Sequence, residues 1–189
     1  MKDWKKEILT IPNLLSLFRL LLIPVYIILY LDATTAADYA VAASILAVSC
    51  LTDMIDGKIA RHFNMISKVG IVLDPIADKA TQFSLLICLA IEFPVLWTLM
   101  FLFVVKESFQ LIAGWLAYRK GKMLTGALIS GKICTTVLFL SLIIMVCFHH
   151  HITPTVVHII TLIDGLFMLI AFVHYAITYY KKDPMIQDI

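Results

Sequence analysis

Four aspartates, Asp53, Asp56, Asp74 and Asp78, lie in a chain of 189 residues that is 61% hydrophobic. An ionised carboxylate at membrane depth costs on the order of a few kcal/mol, so such groups are usually partnered and functional. Asp53, Asp56, Gly57 and Ala60 recur at i, i+3, i+4 and i+7, which is one face of a helix. Gly70, Asp74 and Asp78 recur every four residues, one face of the next helix. A short turn through residues 62–67 makes the two helices antiparallel neighbours, so their acidic faces can meet. The oxygen-rich pocket that results suits one or two hard divalent ions, Mg2+ or Mn2+. Gly57, Ala60 and Gly70 leave room beside the carboxylates for a ligand, although small residues also serve tight helix packing in membranes. Arg61 could fork onto phosphate oxygens or simply set topology by its charge. Pro75 is expected to kink the second helix and free a carbonyl near Asp74.

The elements that carry these residues are membrane spans. Long apolar runs recur from Leu14 to Ile177, each near the roughly 20 residues that cross a bilayer. The expected fold is an all-α integral membrane protein, one domain over 1–189. Its six spans lie near 12–31, 36–59, 68–91, 94–118, 130–148 and 155–180, with Pro12 and Pro94 at helix starts. Lys2, Lys5 and Lys6 beside Trp4, Ile8 and Ile11 suggest a short N-terminal helix lying in the interface, with a frayed basic tail as the alternative. The apolar run contains Arg19 and no small-residue cleavage site follows it, which argues against a signal peptide.

Loop charges alternate. Lys and Arg occur before span one, between spans two and three, between four and five and after six, and are missing from the other three loops. The positive-inside rule then puts both termini and the aspartates on the cytoplasmic side of the membrane, which is expected to be the plasma (inner) membrane. Arg19, Lys79 and Lys106 remain inside spans and need partners, for which the aspartates are the obvious candidates. A net charge of +2 gives no reason to expect nucleic acid. Cys50, Cys88, Cys134 and Cys147 fall in separate apolar segments, as buried free thiols would. Asp164, in span six, either hydrogen-bonds a neighbouring helix or faces water. His149, His150 and His151 form a polar cap on an outer loop, with metal binding as the lesser alternative. Trp97 and Tyr179 suit interface anchors. A transporter or channel would spread its acids through the membrane depth or show matched halves with broken helices, and neither pattern is present.

The string Asp53-x2-Asp56-Gly57-x2-Ala60-Arg61-x8-Gly70-x3-Asp74-x3-Asp78 resembles the signature of the CDP-alcohol phosphatidyltransferase family at every fixed position. The opening Ile11-Pro12-Asn13-Leu-Leu-Ser16-Leu-Phe-Arg19 is similar to the start of that family's first span, whose polar residues face the active site. The resemblance implies that Asp53, Asp56 and Asp74 bind two metal ions, Mg2+ or Mn2+. It also implies that Asp78 is the general base and an additional metal contact. Asn13, Ser16, Arg19, Gly57, Ala60, Arg61 and Gly70 would line the CDP-diacylglycerol, and the protein would be a homodimer. The acceptor is implied less sharply. The chain most resembles members that use glycerol 3-phosphate, which makes Lys106, Arg119 and Lys132 the phosphate-side candidates. Those members typically carry Arg-Glu at Lys106-Glu107, Gly-Lys-x-Lys-Thr at 131–135, and a further arginine near Gly114. Cys134 and Gly114 are departures, and at those two positions the chain is similar to members whose acceptor is phosphatidylglycerol.

Overall fold

A computed structural model describes residues 10–62, 67, 69–119, 122–124, 128–181 and 186–188. It describes backbone alone at 54, 57, 60, 61, 71, 118, 122–124, 181 and 186–188. The expected interfacial helix and most of the turn at 62–67 lie outside these residues.

Among the described residues six long helices follow one another: α1 (Ile11–Leu31), α2 (Ala36–His62), α3 (Gly70–Glu92), α4 (Leu96–Arg119), α5 (Ile129–Cys147) and α6 (Pro154–Lys181). Two three-residue strands, β1 (Lys122–Leu124) and β2 (Ile186–Asp188), pair antiparallel and add a small β element to the expected all-α fold. Among the described residues, α1, α2, α4, α5 and α6 each contain a segment long and apolar enough to cross a membrane. α3 stands apart because Asp74, Asp78 and Lys79 crowd its first half.

The helix limits follow from local chemistry. Pro12 sits in the first turn of α1, where its missing N–H leaves no bond unmade. Thr35 and Asp38 cap α2 reciprocally: the Asp38 carboxylate accepts from the Thr35 N–H at 2.8 Å, and the Asp38 N–H donates to the Thr35 hydroxyl at 3.3 Å. Pro94 does not begin α4. It lies in a turn closed by the Leu96 N–H on the Phe93 carbonyl at 2.9 Å, and the helix proper starts at Leu96. Pro154, by contrast, is the first residue of α6.

The chain divides into two compact units. One comprises Met1–Leu89 and Ile143–His151, the other Ala90–Leu142 and Ile152–Ile189. In the first, α1 packs along α2, with Tyr26, Tyr30, Ala42, Leu46, Ala77 and Leu85 in the interior. His149 opens a short 3-10 turn (His149–His151), and its ring stacks on Tyr39 at 3.9 Å and meets Tyr30 edge-on. In the second, α4 packs on α6 through Phe109 against Phe172, with ring centroids 4.9 Å apart. There the buried Asp164 accepts a hydrogen bond from the Ser141 hydroxyl at 3.0 Å, the helix-to-helix bond that was one of its two expected roles. A β-carbon at Gly131 would lie 2.6 Å from the Tyr175 hydroxyl oxygen, so the absence of a side chain is what allows α5 and α6 this approach. All four cysteines are free thiols, but only Cys88 and Cys134 are buried; Cys50 is half-buried and Cys147 is exposed.

Burial is inverted relative to a water-soluble protein. Leu, Ile, Val and Phe crowd the exposed surface, whereas Asn13, Ser16, Arg19, Asp56, Gln82 and Lys106 are inside. Polar groups buried within an apolar exterior are the membrane-protein pattern in which such groups pair with one another.

Candidate active site

The first unit assembles its polar side chains along one stripe of α1. Asn13, Ser16 and Arg19 follow one another at three-residue steps and meet Gly70, Asp74 and Asp78, which follow at four-residue steps on α3. Both series ascend together, so α1 and α3 run parallel. The steps rise about 4.5 Å and 6 Å respectively, so the two series drift apart by about 3 Å over two rungs. The longest side chain, Arg19, stands on the last rung and can span that drift.

At the first rung the Ser67 hydroxyl donates to Asn13 Oδ1 at 2.9 Å and accepts from the Gly70 N–H at 2.9 Å. A β-carbon on Gly70 would lie 2.6 Å from Asn13 Oδ1 and 3.1 Å from Ser67 Oγ. The close approach is to α1, and that is the packing role that the small residue suggested. Gly70→Ala is therefore expected to cost about 1–3 kcal/mol of stability through overpacking, read as a lowered melting temperature, and to reduce activity by disturbing the start of α3. Ser67, which the spacing argument used only as a turn residue, is the element missed at this rung. Its signal was a hydroxyl three residues before a helix-opening glycine.

At the second rung the Ser16 hydroxyl donates to Asp74 Oδ1. At the third, Arg19 gathers three carboxylates. Its Nη2 lies 2.7 Å from Asp53 Oδ1 and 2.6 Å from Asp56 Oδ2, and its Nη1 donates to Asp78 Oδ1. The guanidinium thus joins α1, α2 and α3. The side chain of Asp56 is only 4% exposed, against 49% for Asp53 and 47% for Asp78. Asp56 anchors the cluster from behind, and Asp53 and Asp78 present accessible oxygens. Gly57, Ala60 and Arg61 lie in the last two turns of α2, with their side chains outside the described residues.

The donor set can be tested against the divalent ions it was expected to hold. Among the described residues no three carboxylate, imidazole or thiol groups are already drawn into a metal-binding arrangement. Instead one cationic group stands among three of the four carboxylates. A single guanidinium charge set against four aspartates leaves an excess of three negative charges. Hard oxygen donors with that excess fit one or two divalent cations, which would supply two or four positive charges.

The other cations behave differently. Lys106 is buried in α4, and its ammonium lies 2.6 Å from Glu107 Oε1, so its close partner is that glutamate and not one of the aspartates. Arg119 is exposed, with its guanidinium over the Trp115 ring at 4.7 Å. Lys132 is exposed on α5. All three belong to the second unit.

The family model for CDP-alcohol phosphatidyltransferases matches residues 9–177, which takes in the α1 stripe, all four aspartates and the helices beyond them. The chain belongs to the CDP-alcohol phosphatidyltransferase family. Three relatives illustrate its range. A probable phosphatidylglycerophosphate synthase of Mycobacterium tuberculosis is 34% identical over 105 residues, 54% of this chain and 50% of that protein. The CDP-diacylglycerol–glycerol-3-phosphate 3-phosphatidyltransferase of Escherichia coli is 44% identical over 69 residues, 36% of this chain and 37% of that one. A cardiolipin synthase (CMP-forming)/mitochondrial hydrolase fusion protein of Schizosaccharomyces pombe is 43% identical over 88 residues, 47% of this chain and 14% of the fusion. The matched segments thus span half or less of each of these relatives.

Proposed function

We propose that this protein is a metal-dependent phosphatidyltransferase. It would move the phosphatidyl group of CDP-diacylglycerol to the hydroxyl of glycerol 3-phosphate and release CMP, a step of phospholipid biosynthesis. The observation that carries this reading is the convergence of Asp53, Asp56 and Asp78 on one point, with Asp74 held by Ser16 one turn away. Asp53, Asp56, Asp74 and Asp78 would hold the divalent ions, Mg2+ or Mn2+. Bound there, such ions supply positive charge that offsets the charge developing on the pyrophosphate in the transition state.

The chain's own groups divide the remaining work. Asp78 has its Oδ1 fixed by Arg19 and is half-exposed, so it can reach an incoming hydroxyl. It takes the hydroxyl proton as the acceptor oxygen bonds to the lipid-side phosphorus. The bond from that phosphorus to the bridging oxygen breaks, and CMP leaves with the electron pair. Asp56, buried against Arg19, holds α2 in register. Asn13, Ser16 and Arg19 keep α1 against α3, and with Gly57, Ala60, Arg61 and Gly70 they would border the CDP-lipid. Six spans with both termini and the active site on the cytoplasmic side of the plasma membrane, one domain over 1–189, and a homodimer complete the reading.

A second acceptor has support of its own. Lys106 is closely paired with Glu107, and Gly114 and Cys134 stand where glycerol-3-phosphate-using members carry cations. Fewer uncompensated cations suit a phosphodiester such as phosphatidylglycerol better than a free phosphate dianion. Assays of purified protein with CDP-diacylglycerol and each acceptor separately distinguish the two. Phosphatidylglycerophosphate as product is the expected result, and cardiolipin made only from phosphatidylglycerol would overturn the first choice. Excess EDTA is expected to stop transfer, and Mg2+ or Mn2+ to restore it. Undiminished turnover in EDTA would count against the metal reading.

A further inference from the structure

Arg19 is placed oddly for a side chain whose task is to meet an incoming phosphate. Its guanidinium is 2% exposed, and both terminal nitrogens are committed to carboxylates of α2 and α3. Among the described residues its Nε has no hydrogen-bond partner, so the fork is turned wholly toward the aspartates. A guanidinium stays charged at any pH a protein meets. It therefore supplies a fixed positive charge at the point where the carboxylates of neighbouring helices would otherwise repel. The oxygens it holds, Asp53 Oδ1, Asp56 Oδ2 and Asp78 Oδ1, belong to the same carboxylates that the proposed function assigns to divalent ions.

We propose that Arg19 is an internal counter-cation, holding the aspartate cluster together in the metal-free protein and competing with divalent ions for it. This rests on the reading of the aspartates as divalent-ion ligands. The competition follows from shared ligands: an arriving ion must draw carboxylates that are already bonded to Arg19 and must do so against a like charge. Any Arg19 contact that is given up when an ion binds therefore stabilises the metal-free cluster and weakens ion binding together. The consequence is a fold that does not depend on ion supply, at the cost of a looser grip on the ion. Ser16 on Asp74 and Ser67 on Asn13 reinforce the same helix pairing without charge.

The test uses the full-length purified protein stripped with EDTA and titrated with Mn2+ alone. Free Mn2+ is followed by electron paramagnetic resonance, and melting temperature is measured in parallel. Arg19→Gln is expected to melt below the wild type in EDTA, to gain more from saturating Mn2+ than the wild type does, and to bind Mn2+ about tenfold more tightly. Arg19→Lys, which keeps the charge on a single ammonium, is expected to bind Mn2+ near the wild-type level. Equal or weaker Mn2+ binding by Arg19→Gln would overturn the proposal. So would an Arg19→Gln protein that stays unfolded at saturating Mn2+, since an ion should replace the lost charge. If neither wild type nor variant binds Mn2+, the metal reading of the site falls and this inference with it. Competition seen in a protein that catalyses no transfer would leave the inference standing and remove the proposed activity.

Discussion

Replacing Asp78 with asparagine is expected to lower the transfer rate by about 10²- to 10⁴-fold, the usual contribution of a positioned general base. Asparagine keeps the size of the side chain and can still accept from Arg19 Nη1 through its amide oxygen, so α1 and α3 should stay paired. Arg19 also retains Asp53 and Asp56, at 2.7 and 2.6 Å, so the variant should fold and melt within a few degrees of the wild type. The loss should appear mainly in kcat, because the base acts on the acceptor hydroxyl in the reacting complex. Retained turnover in a folded Asp78→Asn protein would remove the base assignment.

The second large effect is expected at Asp56, and it differs in kind. Its carboxylate is only 4% exposed and lies 2.6 Å from Arg19 Nη2. Asp56→Ala removes a buried partner and leaves the guanidinium with two half-exposed carboxylates, a change that should cost about 3 kcal/mol. Transfer should be lost together with stability, whereas Asp78→Asn should lose transfer alone. The comparison separates an anchoring carboxylate from a reacting one. Thermal melts and activity measured on both variants check it, and an Asp56→Ala protein as stable as the wild type would contradict the anchoring role.

Much of this arrangement is legible in the sequence because two simple constraints dominate it. Apolar runs near span length fix the six helices to within a few residues, and α1 (Ile11–Leu31) and α2 (Ala36–His62) begin within one residue of where the pattern puts them. Helical spacing then aligns Asp53 with Asp56, and Gly70 with Asp74 and Asp78. What periodicity within one helix cannot give is the pairing between helices. The three-residue stripe of α1 and the four-residue stripe of α3 stay in reach of each other because Arg19, the longest of the three side chains, stands on the last rung, where the two series have drifted furthest apart.

The partner of Lys106 was missed for a different reason. Successive residues on a helix do not face each other, so a search of helical faces looks past Glu107 to distant carboxylates. In a buried setting a charge left without compensation is costly, and two long side chains can curl round to meet, as Lys106 and Glu107 do at 2.6 Å. Pro94 illustrates the limit of a positional rule. Proline suits a helix start, but it suits a preceding turn equally well, and the Leu96 N–H bond to the Phe93 carbonyl shows which is used here.

The aspartate cluster is proposed to transfer a phosphatidyl group from a CDP-lipid. The most direct measurement is CMP release from CDP-diacylglycerol by the purified protein with Mg2+ or Mn2+, with glycerol 3-phosphate or phosphatidylglycerol supplied in turn. CMP is expected in step with a new phospholipid for one of these acceptors, and both products are expected to form at least about 100-fold more slowly with the Asp78→Asn protein. A folded wild-type protein that releases no CMP with either acceptor, or releases it undiminished after Asp78→Asn, would contradict it.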